Sequence, residues 1–400
     1  MQNLLLEDIK ATSLDEANRL MKQSQESFLK LFDYSPACMS LTTAGSRSYV
    51  KVNKRFVEIF GFTEEEILGR TSLEIGILTE DEACKVAQKL SRYGKIEHEV
   101  IVCRHKHGRE VYTVSSIERV ELNGQTYFMS SFLDISSLIE QQQIIERQHA
   151  EISDSINYAR LIQNSILPNH LHIAEHLPES FVVFKPKAVV SGDFYYVKKR
   201  WNSVFIAAAD CTGHGVPGAF MSMLGCEKLE EALLRSNSTS DTLRNLNQSV
   251  KNSLRQNDDT LSLRDGMDIA LCSLNSGGGT MQFAGANRPL WIVRQGQKEI
   301  EEIKPTKRAI GGLTDNEQHF DAHDIKLHTG DTFYIFSDGY ADTFGGPKGK
   351  KLTTRRFKEL LLEIQELNMA QQKHLLESFV EEWKSGLEQV DDILVMGVRM

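Results

Sequence analysis

Four acidic sites beyond Pro168 lie at the ends of apolar runs. Asp193 stands in Ser191-Gly192-Asp193-Phe194, after the strand-like FVVFKP. Asp210 opens Asp210-Cys211-Thr212-Gly213-His214-Gly215, directly after VFIAAA. Asp338 stands in Phe336-Ser337-Asp338-Gly339, after TFYIF, and the doublet Asp391-Asp392 immediately precedes ILVMGV. Singly, an Asp-Gly at a strand end reads as a turn, because those two residues are what tight turns require. Four carboxylates at strand rims in one region support a second reading. If their sheets bring them together, they supply the oxygen-rich shell that a hard divalent cation takes.

The elements that must position them follow from the pattern of the chain. Beyond Pro168, β-rich segments alternate with long helical ones. Before it, residues 137–168 contain no Gly and no other Pro, and Ile145, Ile152, Ala159 and Ile166 fall seven residues apart. This predicts a helix, either a dimeric coiled coil or a helix packed on its own domain, stopped at Pro168. Further upstream, CMSLTT and RSYVKVN read as strands, and Asn53–Phe60 as a helix broken at Gly61. Thr63 with Glu66 reads as a capping box, and Glu80–Tyr93 as a second helix. Three strand patterns follow, KIEHEVIVCRHK, REVYTVSSIERVEL and QTYFMSSFLDI, with turns at His107-Gly108 and Asn123-Gly124; an antiparallel meander is the economical arrangement. An amphipathic helix is expected over Leu14–Phe32.

Length and composition bound the function. A chain of 400 residues exceeds one ordinary core, so two or three domains are expected. Apolar content of 40% and charged content of 25% place it among globular proteins. The net charge of -9 argues against a general binder of nucleic acid or anionic membrane, both of which need a basic surface. Six cysteines without a C-x-x-C pair suggest neither a zinc site nor a disulfide framework. No apolar run approaches the roughly 20 residues that span a bilayer, and the start of the chain lacks a signal-peptide pattern, so a cytoplasmic protein is expected.

Two resemblances organise these observations. Residues 26–136, with NKRFVEIFGFTEEEILGR at their centre and the meander ending in Leu133-Asp134-Ile135-Ser136, resemble a PAS domain. No flavin-type cysteine motif is present, and His98, His105 and His107 read as solvated hairpin residues rather than haem ligands. The ligand, if there is one, is unknown, and a structural relay without cofactor is the preferred reading. From about Ala159 to Met400, the chain resembles the SpoIIE-like branch of the metal-dependent protein phosphatase (PPM) family. The match runs in order through ARLIQNSILP, VSGDFYYV, AAADCTGHGVPGAFMSMLG, RDGMDIALCSL, FAGANRPLWIV, GDTFYIFSDGYADTFGG and VDDILVMGVR.

The second resemblance implies an α-β-β-α phosphatase sandwich with two Mn2+ or Mg2+ ions at one rim and hydrolysis of phosphoserine or phosphothreonine on a partner protein. Carried over residue by residue, Asp210 bridges the metals and the Cys211 backbone carbonyl adds a ligand. Asp338 with Asp391 or Asp392 holds the second ion, the doublet leaving the register open, and Asp193 orients metal-bound water. His214 is either a general acid or a second hydrogen-bonding neighbour. Asp265 reads as a turn residue and Asp268 as structural, with the option of facing the site; Gly213 and Gly215 turn the backbone where a Cβ would crowd it. Tyr195-Tyr196 departs from the family, which often has an acidic residue after the tyrosine. Lys185 and Lys187 are candidates for the substrate phosphate, against the plainer reading of solvated loop lysines. The expected organisation is α+β and multidomain: an N-terminal helix over 1–25, a PAS-like sensor over 26–136, a helical linker over 137–168 and a phosphatase domain over 169–400. The expected partner is a phosphorylated regulatory protein of the STAS type, in a homodimeric assembly without nucleic acid or membrane. Two other classes are weighed: a catalytically silent, PAS-dimerised interaction protein, ranked lower because no expected carboxylate is missing, and a metal-dependent nuclease or phosphodiesterase, disfavoured by the acidic balance.

Overall fold

The computed structural model describes Glu16, Arg19, Lys22, Gln23 and residues 26–122, 124–256, 263–277 and 279–400. Most of the helix expected over 1–25, and Asn123 of the expected turn, lie outside the described residues. The chain divides into two compact units, Met1–Ala150 and Glu151–Met400, and the division falls within a 31-residue helix, Ser136–Ile166. Along that helix Leu138, Ile145, Ile152 and Ile166 are exposed, a row at seven-residue spacing with Ala159 between them. Among the described residues no helix is long and apolar enough to cross a membrane.

The N-terminal unit is a five-stranded antiparallel sheet. Its strands run in the order Tyr49–Val52, Cys38–Thr43, Gln125–Asp134, Glu110–Leu122, Ile96–Arg104. The last three form the expected meander, while the pairing of the first strand with the last is a long-range contact that no local pattern encodes. The helices begin and end on local signals. The Asn53 side chain accepts from the Phe56 N–H, Gly61 closes that helix in the left-handed region, and the Thr63 N–H donates to Glu66 at 2.9 Å. Phe56, Phe60, Ile67 and Val111 are buried together beneath them. His98, within strand Ile96–Arg104, and His107, in the turn that follows it, are exposed, whereas His105 is half-buried beside Gly61.

The C-terminal unit is a four-layer sandwich. One sheet runs Ala322–Lys326, Thr280–Ala286, Gly266–Asn275, Ser203–Cys211, Asp193–Arg200, with Ile310–Gly311 paired to Gly266–Asn275. The other runs Ile300–Ile303, Leu290–Val293, Thr332–Phe336, Ile393–Arg399, Ser180–Lys185. Period-2 alternation explains why the central strands are continuously apolar: both faces are covered. In Ser203–Cys211, the side chains of Val204, Ile206 and Ala208 point into the layer between the sheets. Ala207, Ala209 and Cys211 point to helices Gly215–Leu234 and Thr239–Ser253. In Ile393–Arg399, Leu394, Met396 and Val398 face the inter-sheet layer, while Ile393 and Val395 face helices Thr353–Glu363 and Met369–Lys384. Ala207 and Ala209, small side chains on the helix side, keep the covering helices close.

Phe283 is fully buried between the sheets. All three tryptophans, Trp201, Trp291 and Trp383, lie in this unit, so their fluorescence reports on it alone. Phe283→Ala is expected to lower the stability of the unit by about 3–5 kcal/mol, read as a drop in the urea midpoint of tryptophan fluorescence without change of slope.

Candidate active site

Strand register builds the site. Asp193 pairs with Asp210, and Asp210 pairs with Asp268, so three carboxylates stand side by side at one end of the first sheet. Directly opposed residues share a face, and Asp210 has the parity of Ala208 and Ile206, which places the row on the inter-sheet side. From the other sheet come Asp338, just beyond Thr332–Phe336, and Asp391-Asp392, just before Ile393–Arg399; these two strands are antiparallel neighbours, so their ends meet. Ser337 joins the sheets at this rim: its hydroxyl donates to Asp193 at 2.5 Å and accepts from the Leu394 N–H at 3.0 Å.

The carboxylates converge on one cation already present in the chain. The Arg288 guanidinium lies 2.7 Å from Asp210, 2.8 Å from Asp338 and 3.3 Å from Asp268. It is largely buried, and its Nε has no hydrogen-bond partner. A tight turn delivers it: Asn287 takes a left-handed φ of 58° and donates its side-chain amide to Asp268 at 2.8 Å, and the Arg288 N–H donates to the Ala286 carbonyl at 2.7 Å. These groups line a cavity of about 1000 Å3, to which Asp391, His214 and the Cys211 backbone also contribute, with Arg264, Lys307 and Arg308 at its wall.

Burial and like charge tune the carboxylates. Burial pushes Asp210 up to about 7, with Asp338, Asp391 and Asp268 adding to the rise and Arg288 working against it. Asp193 is driven well above the usual carboxylate range by burial and then by Asp210, with the Ser337 hydroxyl opposing; Asp268 and Asp391 are raised, chiefly by burial. Burial also disfavours the charged form of Arg288, but Asp210 and Asp338 more than offset it. A rim with more carboxylates than cations favours the arrival of further positive charge.

The expected site residues separate into two sets. Asp210, Asp338 and Asp391 face the cavity, with Cys211 and His214 on its wall. His214 is exposed at the N-terminal cap of helix Gly215–Leu234, without a side-chain capping bond. Asp193 and Asp392 are buried away from the cavity lining. Asp392 accepts from the Lys187 N–H at 2.7 Å and the Gly192 N–H at 2.6 Å, so the second member of the doublet pins backbone while the first faces the cavity. Asp265 accepts from the Thr212 hydroxyl at 2.8 Å and holds the loop, whereas Asp268 joins the cluster. Lys185 is paired with Glu381 at 2.6 Å, and Lys187 meets the site through its backbone. Glycine crowding also falls elsewhere than expected: Gly213 and Gly215 are required for positive φ, and it is on Gly192 and Gly218 that a Cβ would collide with the Gly213 carbonyl oxygen. The sequence reading gave Arg288 no role; the available signal was the polar Asn287-Arg288 between the apolar FAGA and PLWIV.

The helix Ser136–Ile166 reaches this region through a single buried side chain within the C-terminal unit. The Gln163 amide donates to the Ser191 carbonyl at 2.7 Å and to the Ser222 hydroxyl at 2.9 Å, and accepts from the Ser191 N–H at 3.1 Å. Ser191 begins the segment that carries Asp193, and Ser222 lies on the helix that follows His214.

Two face-to-face antiparallel sheets with helices outside and a carboxylate-lined cavity at one rim define a phosphatase domain of the PP2C type. The family described as Stage II sporulation protein E (SpoIIE) matches residues 201–400, and the chain belongs to that family. It is 27% identical over 268 residues to the phosphoserine phosphatase RsbU of Bacillus subtilis (strain 168), covering 64% of this chain and 74% of that protein. Among solved structures it is similar to the SiaA-PP2C domain of Pseudomonas aeruginosa, with a TM-score of 0.58 and 31% identity over 63% of this chain and 98% of that one.

The raised carboxylates give a signed pH dependence. A group whose folded pKa exceeds its unfolded value stabilises the fold at low pH, and that contribution is lost as pH rises through the folded value. With Asp210 moving from 3.8 to about 7, the chelator-treated protein is expected to melt at progressively lower temperature between about pH 4 and pH 7. Asp210→Asn should flatten this slope. A wild-type melting temperature constant across that window would contradict the assignment.

Proposed function

We propose that the chain is a metal-dependent phosphatase acting on phosphoserine or phosphothreonine of a regulatory protein, of the STAS type that antagonises anti-sigma factors, in the cytoplasm. The observation that carries this is the convergence of Asp210, Asp268 and Asp338 on one internal cation, with Asp391 on the same cavity. Such a donor set fits hard divalent cations: all ligands are oxygens, and the guanidinium marks where positive charge is stabilised. Asp210, Asp338, Asp391 and the Cys211 carbonyl, with Asp268 added by the geometry, would hold two Mn2+ or Mg2+ ions. Bound there, they would supply a water acidic enough to furnish hydroxide near neutral pH and would neutralise charge on the phosphoryl group.

The remaining roles belong to the chain's own side chains. Arg288 is the cation placed to take phosphoryl oxygens, for which its planar fork is suited. His214, exposed on the cavity wall, is placed to give a proton to the departing serine oxygen. Asp193 acts from behind, holding Ser337 and with it the alignment of the two sheets. Arg264, Lys307 and Arg308 give the cavity wall a basic character on a chain of net charge -9, which suits an acidic phosphorylated segment.

The N-terminal five-stranded sheet with its helices supports the PAS-like reading of 26–136, and the exposed seven-residue row supports a linker over 137–168 that pairs two chains. Regulation then runs through Gln163, the side chain by which that helix holds Ser191 and Ser222.

With a phosphoserine peptide and Mn2+, Asp210→Asn is expected to reduce kcat by about 10³-fold or more while leaving the circular dichroism spectrum unchanged. An undiminished rate in the variant would refute the site. For the linker, Ile152→Asp should convert a dimer to a monomer in light scattering and shift the phosphatase rate; a monomeric wild type would dismiss the paired helix.

A further inference from the structure

The short helix His170–His176 lies between the end of the long helix and the first strand of the second sheet, Ser180–Lys185. It is fixed in place on one side. Ile173 and Leu177 are buried in the layer between the sheets, and the Asn169 side chain caps its start by accepting from the His172 N–H at 2.8 Å. Its other side carries chemistry that the phosphatase site does not use. His172, Glu175 and His176 stand at positions i, i+3 and i+4, which share one helical face across a single turn. One ligand atom from each lies within 4.8 Å of the others, and the two imidazole rings have centroids 4.9 Å apart at an interplanar angle of 80°. The two histidines are half-buried and Glu175 is exposed, so the cluster is reachable from solvent on an anchored frame.

We propose that His172, Glu175 and His176 form a zinc-binding site on the helix that leads into the phosphatase domain. Two neutral imidazoles and one carboxylate are a donor set that zinc accepts in tetrahedral geometry, with water completing the shell. The hard cations suited to the all-oxygen aspartate cluster have little preference for imidazole, so the two sites are chemically distinct and can be loaded independently. His172 also lines a cavity of about 790 Å3 together with Leu167, Tyr196, Met223 and Glu227, which places the site beside helix Gly215–Leu234. A bound ion would tie together both turns of a seven-residue helix that has little stability of its own.

The test uses the full chain, stripped with chelator and kept in millimolar Mg2+ so that the aspartate cluster is occupied by a competing hard cation. Zn2+ is titrated against a chromophoric chelator for the wild type and for the His172→Ala/His176→Ala double variant, with circular dichroism to confirm folding. The expected result is one zinc per chain in the wild type that Mg2+ does not displace, bound at least about 100-fold more weakly in the double variant. Glu175→Gln should give an intermediate loss. The Mn2+-dependent phosphatase rate of the double variant, measured without zinc, should match the wild type, which separates this site from the catalytic one. No zinc retained by the wild type, or equal zinc affinity in the folded double variant, would overturn the proposal.

Discussion

Buried carboxylates of like charge repel one another and are poorly solvated, and the C-terminal unit is arranged around that constraint. Five aspartates from two sheets crowd one rim: Asp193, Asp210 and Asp268 by strand register, Asp338 and Asp391 from the facing sheet. Two devices make this tolerable in the protein alone. Arg288 reaches across to three of the carboxylates, and the raised proton affinities of Asp193, Asp210, Asp268 and Asp391 let charge be shed. Both devices leave the rim receptive to divalent cations. Arg288 holds the same oxygens that would hold the ions, so in the proposed enzyme its guanidinium would be available to the phosphoryl group once those carboxylates had other cations as partners.

That rim exists only because backbone segments approach more closely than side chains normally permit. The Gly213 carbonyl oxygen is packed against both Gly192 and Gly218, and Asp392 secures the arrangement by accepting from the Gly192 N–H. An alanine at either glycine would push the Asp193 segment away from the loop after Asp210. The glycines of SGDF and of GHGVPG are therefore a matched set, joined by one oxygen atom rather than by separate turns.

Much of this was legible in the sequence because local signals and global folding agree. The apolar runs VFIAAA and ILVMGV, the capping box at Thr63 and the Gly61 stop each predict an element that the structure contains. Ordered motifs also pointed to the cavity that Asp210, Asp338 and Asp391 share. What escaped were consequences of pairing between distant segments. Asp268 reads as structural with the option of facing the site, and only register, by setting it beside Asp210, decides between the two. Asp391 and Asp392 are indistinguishable in text, because which of them faces the cavity depends on hydrogen bonds to Lys187 and Gly192, some 200 residues away. The polar Asn287-Arg288 interruption marks Arg288 in the sequence, but its role does not follow from it, because that role lies in three carboxylates contributed by three different segments.

The same reasoning gives Gln163 its weight. A glutamine in the last turns of a polar helix has no distinguishing mark, yet this one is buried and its amide uses both ends, donating to Ser191 and Ser222 and accepting from Ser191. Burying an amide is tolerable only while its partners stay in place. Any rotation or slide of the helix that withdraws Gln163 must therefore leave it unsatisfied or carry Ser191 and Ser222 along. Ser191 precedes Gly192, whose close contact with Gly213 sets the loop holding His214, and Ser222 lies on the helix that this loop begins. Through Gln163 the helix thus has a buried polar contact with the two segments that flank the aspartate rim.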